Sequence, residues 1–204
     1  MNRTPLLLLL VALTTPCGKS AIAAATSTNM PPAQYLSADE NSVLIELNMA
    51  RTNPKAYAEL MKELRPFYRP DGTLHMPGQS PVVCFEGIRA LDEAIEYLMK
   101  ARSLAPLRPS AGLSLAARDH AVDIGASGKT GHDGADGSNI ADRQSRHGDW
   151  KKICGENIAC GWKEPRHIVM QLIIDDNVSD RGHRTNIFCR DYGKVGIALA
   201  PHSQ

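Results

Sequence analysis

The chain has 204 residues, with 23 lysines and arginines against 22 aspartates and glutamates and a formal net charge of +1. Balanced charge of this kind gives no electrostatic basis for binding nucleic acid or an anionic membrane surface. An aromatic content of 5% leaves few stacking platforms for bases or sugars, and the length suits one domain with a sizeable core.

Asn2 and Arg3 open a short polar start, Leu6 to Leu13 form an apolar run, and small residues follow at Ala21-Ile22-Ala23 and Ala23-Ala24-Ala25. This order predicts a secretory signal over residues 1–25 with an A-x-A cleavage site. The run is far shorter than the ~20 residues that cross a bilayer, so no transmembrane anchor is expected and the protein should be secreted or periplasmic. Cys17 offers a lipoprotein alternative, but Thr14-Thr15-Pro16 fits poorly the Leu and small residue expected before an acylated cysteine. Residues 26–38 mix Thr, Ser, Asn, Pro and Ala without period and read as a flexible arm, leaving residues 39–204 as the domain.

From Asp39, the spacing of Val43, Leu44, Leu47 and Ala50, then Tyr57, Leu60, Met61 and Leu64, predicts amphipathic helix. Asn53-Pro54 interrupts it, and Pro in a first turn can start a new helix. The prolines and glycines of residues 65–82 predict loop with a tight turn. A second helical stretch runs through residues 86–103, with Ile88, Leu91, Ile95, Leu98 and Met99 on one face. Residues 104–112 read as a linker or edge strand. The next helix is expected from Ser114, with Leu115, Ala116, Val122 and Ala126 as core positions, and Gly125 and Gly128 weakening its end. A Gly- and Asp-rich loop covers residues 129–139. Two segments around Cys154-Gly155-Glu156-Asn157 and Gly193-Lys194-Val195 read as strands, with a last helix over residues 167–175 between them. Early helices and late strands define an α+β class, with helices packed on a small antiparallel sheet.

Without residues 1–25, four cysteines remain: Cys84, Cys154, Cys160 and Cys189. In an exported chain they permit two disulfides in any of three connectivities, or four free thiols. A bridge between Cys154 and Cys160 is disfavoured, because six extended residues separate Cα atoms by about 20 Å, against a limit near 7 Å.

Three blocks set polar side chains beside glycine: Gly131-His132-Asp133-Gly134, Gly155-Glu156-Asn157-Ile158 and Gly182-His183-Arg184-Thr185-Asn186. Two histidines and a carboxylate from separate elements can complete a divalent-metal site, and unrelated surface histidines give the same pattern. Glu156 could equally fix the Gly155 turn through backbone amides. Arg184 is expected to pair with Asp175 or Asp176. Asn157 and Asn186 read as turn formers, and His120 as a core or surface residue. Asp133 and Asp136 do not match the oxygen spacing of a calcium loop.

The order of these blocks is more specific than any one of them. Gly155-Glu156-Asn157-Ile158 and Gly182-His183-Arg184-Thr185-Asn186-Ile187 resemble two signatures of the CAP superfamily, the cysteine-rich secretory, antigen 5 and pathogenesis-related 1 proteins. The second is similar to the bacterial branch. Leu115-Ala116-Ala117, His120-Ala121 and His132 resemble the family's third helix and its following histidine, and Glu46-Leu47-Asn48, Arg51 and Asn53-Pro54 its opening helix. The resemblance covers about residues 40–201.

It implies an α-β-α sandwich with a large cleft marked by two histidines and two acids, at which some members bind zinc or a similar ion. Carried over, the histidines fall on His132 and His183 and the glutamate on Glu156, which would be the metal ligands. The fourth, acidic place aligns with Asp176, or with Asp175 beside it, because extra residues precede Gly182 and no Trp stands on the preceding helix. The expected function is a monomeric extracellular protein whose cleft, with or without zinc, binds a small-molecule, lipid, peptide or glycan ligand without catalysing a reaction. The alternatives are a metal-dependent hydrolase or peptidase with Glu156 as base, and a structural envelope protein. The H-E-x-x-H motif of many zinc peptidases is absent, and no cysteine or serine has a nucleophile context.

Overall fold

The computed structural model describes residues 35–149 and 153–203 in full and residues 6–13 as backbone. Ser37 starts the domain with a capping box, its hydroxyl accepting from the Glu40 amide at 3.2 Å while Glu40 accepts from the Ser37 amide at 2.8 Å. Two orphan donors are thereby satisfied, and helix α1 runs Ala38–Thr52. Asn53 both ends it and caps α2, Pro54–Lys62, with Pro54 in the first turn as expected. A short hairpin, β2 (Thr73–Leu74) and β3 (Val82–Val83), precedes α3, Ile88–Lys100. The two-residue strand β4, Arg108–Pro109, leads into α4, Ala111–Ser127, and then α5, Ile140–Ser145. Strand β5 spans Cys154–Cys160, α6 Pro165–Ile174, α7 Gly182–Ile187 and β6 Lys194–Pro201.

The main sheet has the order β4-β6-β1-β5, where β1 is Leu6–Leu13. β1 pairs antiparallel with β5 from Leu7↔Cys160 to Leu13↔Cys154, and with β6 from Leu6↔Pro201 to Leu13↔Lys194. The run assigned to an export signal is thus an inner strand of the sheet in this chain. β4 joins the far side of β6 in parallel.

Strand β6 shows how the layers form. Val195 and Ile197 join the large core with α1, α2, α3 and α6, while Ala198 and Ala200 pack with Leu113, Ala117, Ala121 and Ile124 of α4. That alternation is the period-2 signature of a strand covered on both faces, and the result is the α-β-α sandwich of a mixed α+β fold. Close approach is built in at Gly196, where a Cβ would run into the backbone of Leu113.

The burial of α4 differs from the sequence expectation. The helix begins at Ala111, and Leu115 and Val122 are exposed, as is Ala126; Leu113, Ala116, Ala117, His120, Ala121 and Ile124 face inward. Small side chains define the buried face because the helix lies so close to β6. On α3, likewise, Leu91, Ile95 and Leu98 are buried, whereas Ile88 and Met99 are exposed.

Two buried polar residues of α1 tie the layers together. Asn48 exchanges hydrogen bonds with Leu107, donating to its carbonyl at 3.0 Å and accepting from its amide at 2.7 Å. The Arg51 guanidinium donates to the carbonyls of Ala105, Ile187, Cys189 and Tyr192. Burial pulls its pKa down to about 10. Cys84, Cys154, Cys160 and Cys189 are half-buried free thiols, so none of the allowed disulfides is present. Cys17 and most of residues 26–38 lie outside the described residues. Among the described residues, no helix is long and apolar enough to cross a membrane.

Candidate functional site

Glu156 and Asn157 are consecutive on β5, so their side chains leave opposite faces of the strand. That alternation divides the polar residues into two groups.

On the α4–α5 face, Glu156 is buried. His132 contacts it through Nδ1 at 2.8 Å, and the Arg143 guanidinium donates to both carboxylate oxygens, at 3.1 and 2.9 Å. Arg143 is buried on α5 and also donates to the carbonyls of Ser138 and His132, at 2.7 and 2.9 Å. A capping box at Asn139 and Asp142 sets the start of that helix and hence the place of Arg143. His120 lies beneath, fully buried, with Nε2 2.8 Å from the Gly131 carbonyl and 3.9 Å from Glu156. The hydrogen bond to Glu156 holds the His132 pKa above the ordinary imidazole value, against the opposing effect of burial.

On the other side, His183 Nδ1 is 2.6 Å from Asp175. The second Asp175 oxygen accepts from the amides of His183 and Arg184, at 2.9 and 3.1 Å. Asp175 ends α6 in a left-handed conformation, φ 57°, and satisfies the first amides of α7, so one residue joins two helices and orients the histidine. Asn157 donates to the His183 carbonyl at 3.0 Å, and Asn186 donates to Asn157 at 2.8 Å. These asparagines link β5 to α7 rather than forming local turns.

Asp176 turns away from both histidines and accepts from the amides of Phe85 and Glu86, at 2.7 and 2.8 Å. Glu86 reciprocates by accepting from the Asn177 amide at 2.8 Å and pairing with Arg181, whose guanidinium pulls its pKa down to about 2. The expected pairing of Arg184 with Asp175 or Asp176 is replaced by an ion pair to Glu93 at 2.9 Å. Its guanidinium also donates to the carbonyls of Ile173 and Ile174, at 2.6 and 3.1 Å. A buried cation at the C-terminal carbonyls of α6 suits the helix dipole.

His132 therefore meets Glu156 and His183 meets Asp175. Among the described residues, no three His, Cys, Asp or Glu side chains are grouped so as to hold a metal ion. The donor set at Glu156 also fits a divalent ion poorly, because an internal cation already neutralises that carboxylate and only 3% of its side chain is exposed.

Beside His183 and Asp175 opens a cavity of about 380 Å³. Its wall is mainly apolar, with Leu74, Trp162, Met170, Leu172 and Ile174 among the lining residues. Tyr68, Cys84, His167 and Gln171 add polar atoms, and Val82, Val83 and Phe85 supply an exposed apolar rim. His167 packs edge-on to Trp162, and burial lowers its pKa. His167, Trp162 and Gln171 were not singled out in the sequence because the wall is drawn from segments far apart in the chain.

The family model of the cysteine-rich secretory protein family (CAP) matches residues 58–204. The chain belongs to the CAP family. Comparison with curated proteins and with solved structures returned no match.

Proposed function

We propose that this chain is an exported, non-enzymatic binding protein that holds an apolar small molecule in the cavity beside His183 and Asp175. One observation carries the reading: a cavity of about 380 Å³, walled mostly by apolar side chains with a few polar atoms, adjoins a family signature block. Sites of this volume and lining are typical of small-molecule recognition. Peptide and glycan ligands are less suited, since both need many polar partners that this wall lacks.

The hydrolase reading needs a base free to take a proton from water. Glu156 is ion-paired with Arg143, hydrogen-bonded to His132 and only 3% exposed at its side chain, which keeps it from water. Ligand binding is accordingly assigned without a metal. Export rests on the polar start, the Leu6 to Leu13 run and the small residues up to Ala25.

A small neutral environment-sensitive fluorophore such as 1-aminonaphthalene, titrated into the purified protein, tests the site. Saturable one-to-one enhancement that Met170→Trp abolishes is the expected result. Enhancement unaltered by filling the cavity would remove the site from consideration.

A further inference from the structure

The ionisable side chains of the cavity wall leave it with charge of one sign. Its lining includes Asp175 and Asp176 but no lysine or arginine. Burial raises the pKa of the Tyr68 hydroxyl and the Cys84 thiol and lowers that of His167, so these three are uncharged near neutral pH. His183 is turned to Asp175 at 2.6 Å, and the charge of one at most cancels that of the other. The charge of Asp176 remains.

That carboxylate has bonding capacity to spare. It accepts one amide on each oxygen, from Phe85 at 2.7 Å and Glu86 at 2.8 Å, whereas an ionised carboxylate offers about four lone-pair sites. Among the described residues no side-chain cation pairs with it, and the arginines of this side, Arg181 and Arg184, are engaged by Glu86 and Glu93. Asp176 is half-buried. Its bond to the amide of Phe85, a residue 75% exposed, sets it at the rim of the cavity, with the apolar wall behind it.

A carboxylate or phosphate head would meet repulsion there and no cation to receive it. A neutral head would leave the charge of Asp176 to water alone. An ammonium supplies the missing partner, and next to an apolar wall the attraction is screened less than in bulk water. At the rim such a head also keeps part of its hydration, which limits the desolvation cost. At ~30 Å³ for a water-sized group, the cavity has room for roughly a dozen heavy atoms. We infer that the ligand class is an apolar amine of about that size, its ammonium at Asp176 and its chain inward against Trp162, Met170 and Ile174. The inference rests on the binding function proposed above and adds the chemistry of the head group.

Calorimetric titration with decylamine, decan-1-ol and decanoate at pH 7.5 separates the two levels, since a primary alkylamine is charged at that pH as a lysine is. Decylamine is expected to bind at least about tenfold more tightly than either other probe, a gap of about 1.4 kcal/mol. Asp176→Asn should narrow its preference over decan-1-ol to about twofold or less while decan-1-ol still binds. Val178→Lys, at a half-exposed lining position, keeps Asp176 and its amide bonds but adds an internal ammonium, and should narrow the preference likewise. It carries the test if Asp176→Asn fails to fold. A preference undiminished in either folded variant would overturn the assignment to Asp176. Equal or tighter binding of decan-1-ol or decanoate to the native protein would overturn the amine class and leave the cavity a ligand site. Failure of all three probes to bind would overturn both the inference and the binding function beneath it.

Discussion

Arg143 is the residue on which the chemistry of the polar groups turns. It brings a buried positive charge to Glu156, the position at which the family resemblance led us to expect a divalent ion. Removing one member of a buried ion pair strands the other in a low-dielectric site, at a cost of about 3–5 kcal/mol. Arg143→Met should lower the unfolding free energy by that amount in urea titrations, whereas a change under ~1 kcal/mol would mean that solvent reaches Glu156. If the guanidinium serves in place of an ion, millimolar zinc should leave the melting temperature of the native protein unchanged.

His132 gives a pH signature. Its folded pKa lies above the unfolded value because of Glu156, so its contribution to stability is complete below the ordinary imidazole value of about 6.5. That contribution disappears as pH rises through the raised folded pKa. The Glu156→Gln variant should return the His132 titration, followed by NMR, towards the ordinary value; an unmoved midpoint would assign the shift to another group. The sequence brought out His132, Glu156 and His183, because glycine-flanked polar blocks are visible in one dimension. It did not bring out Arg143, since nothing in a polar helix such as Ile140-Ala141-Asp142-Arg143 announces which face meets β5; His120, read as a core or surface residue, is buried in the core.

At the scale of elements, legibility followed local chemistry. The break between α1 and α2 was readable because Asn53-Pro54 caps one helix and opens the next. The inward face of α4 was not, because its packing depends on Ala117, Ala121 and the small residues of β6, where the bulkier Leu115 and Val122 suggested another face. The tight α4–β6 contact predicts that Gly196→Ala destabilises the protein by about 1–3 kcal/mol, the usual range for overpacking. Denaturant midpoints would check this, and an unshifted midpoint would show that α4 can withdraw from the sheet without cost. The short α7 escaped sequence reading because it is held by Asp175, Asn157 and Asn186 more than by a periodic apolar face.

Strand β1 sets a second test at this scale. Residues 6–13 bond to both β5 and β6, so cleavage after Ala25 would remove the partner of two strands and expose their edges. A chain beginning at Thr26 should melt at a lower temperature and associate more readily than the full chain. Equal melting temperatures, with association unchanged, would show that the sheet does not depend on β1. N-terminal sequencing of exported protein decides which form is mature.

Over the whole molecule, the sandwich distributes its tasks between two faces of one sheet. The α4–α5 side encloses a charge-satisfied His132–Glu156–Arg143 group, while the side carrying α6 and α7 leaves a cavity beside His183. The α+β class and the family were readable from block order, and the family match agrees. The cavity was not, because Leu74, Val82, Trp162, Met170 and Ile174 meet only through the hairpin, the segment after β5 and α6. The measurement that tests the account most directly is a crystal structure with a 10-bromodecan-1-ol soak, its bromine located by anomalous scattering. The account predicts one ordered chain between Trp162, Met170 and Ile174. Bromine bound elsewhere on the protein while this cavity stays without it would contradict the account.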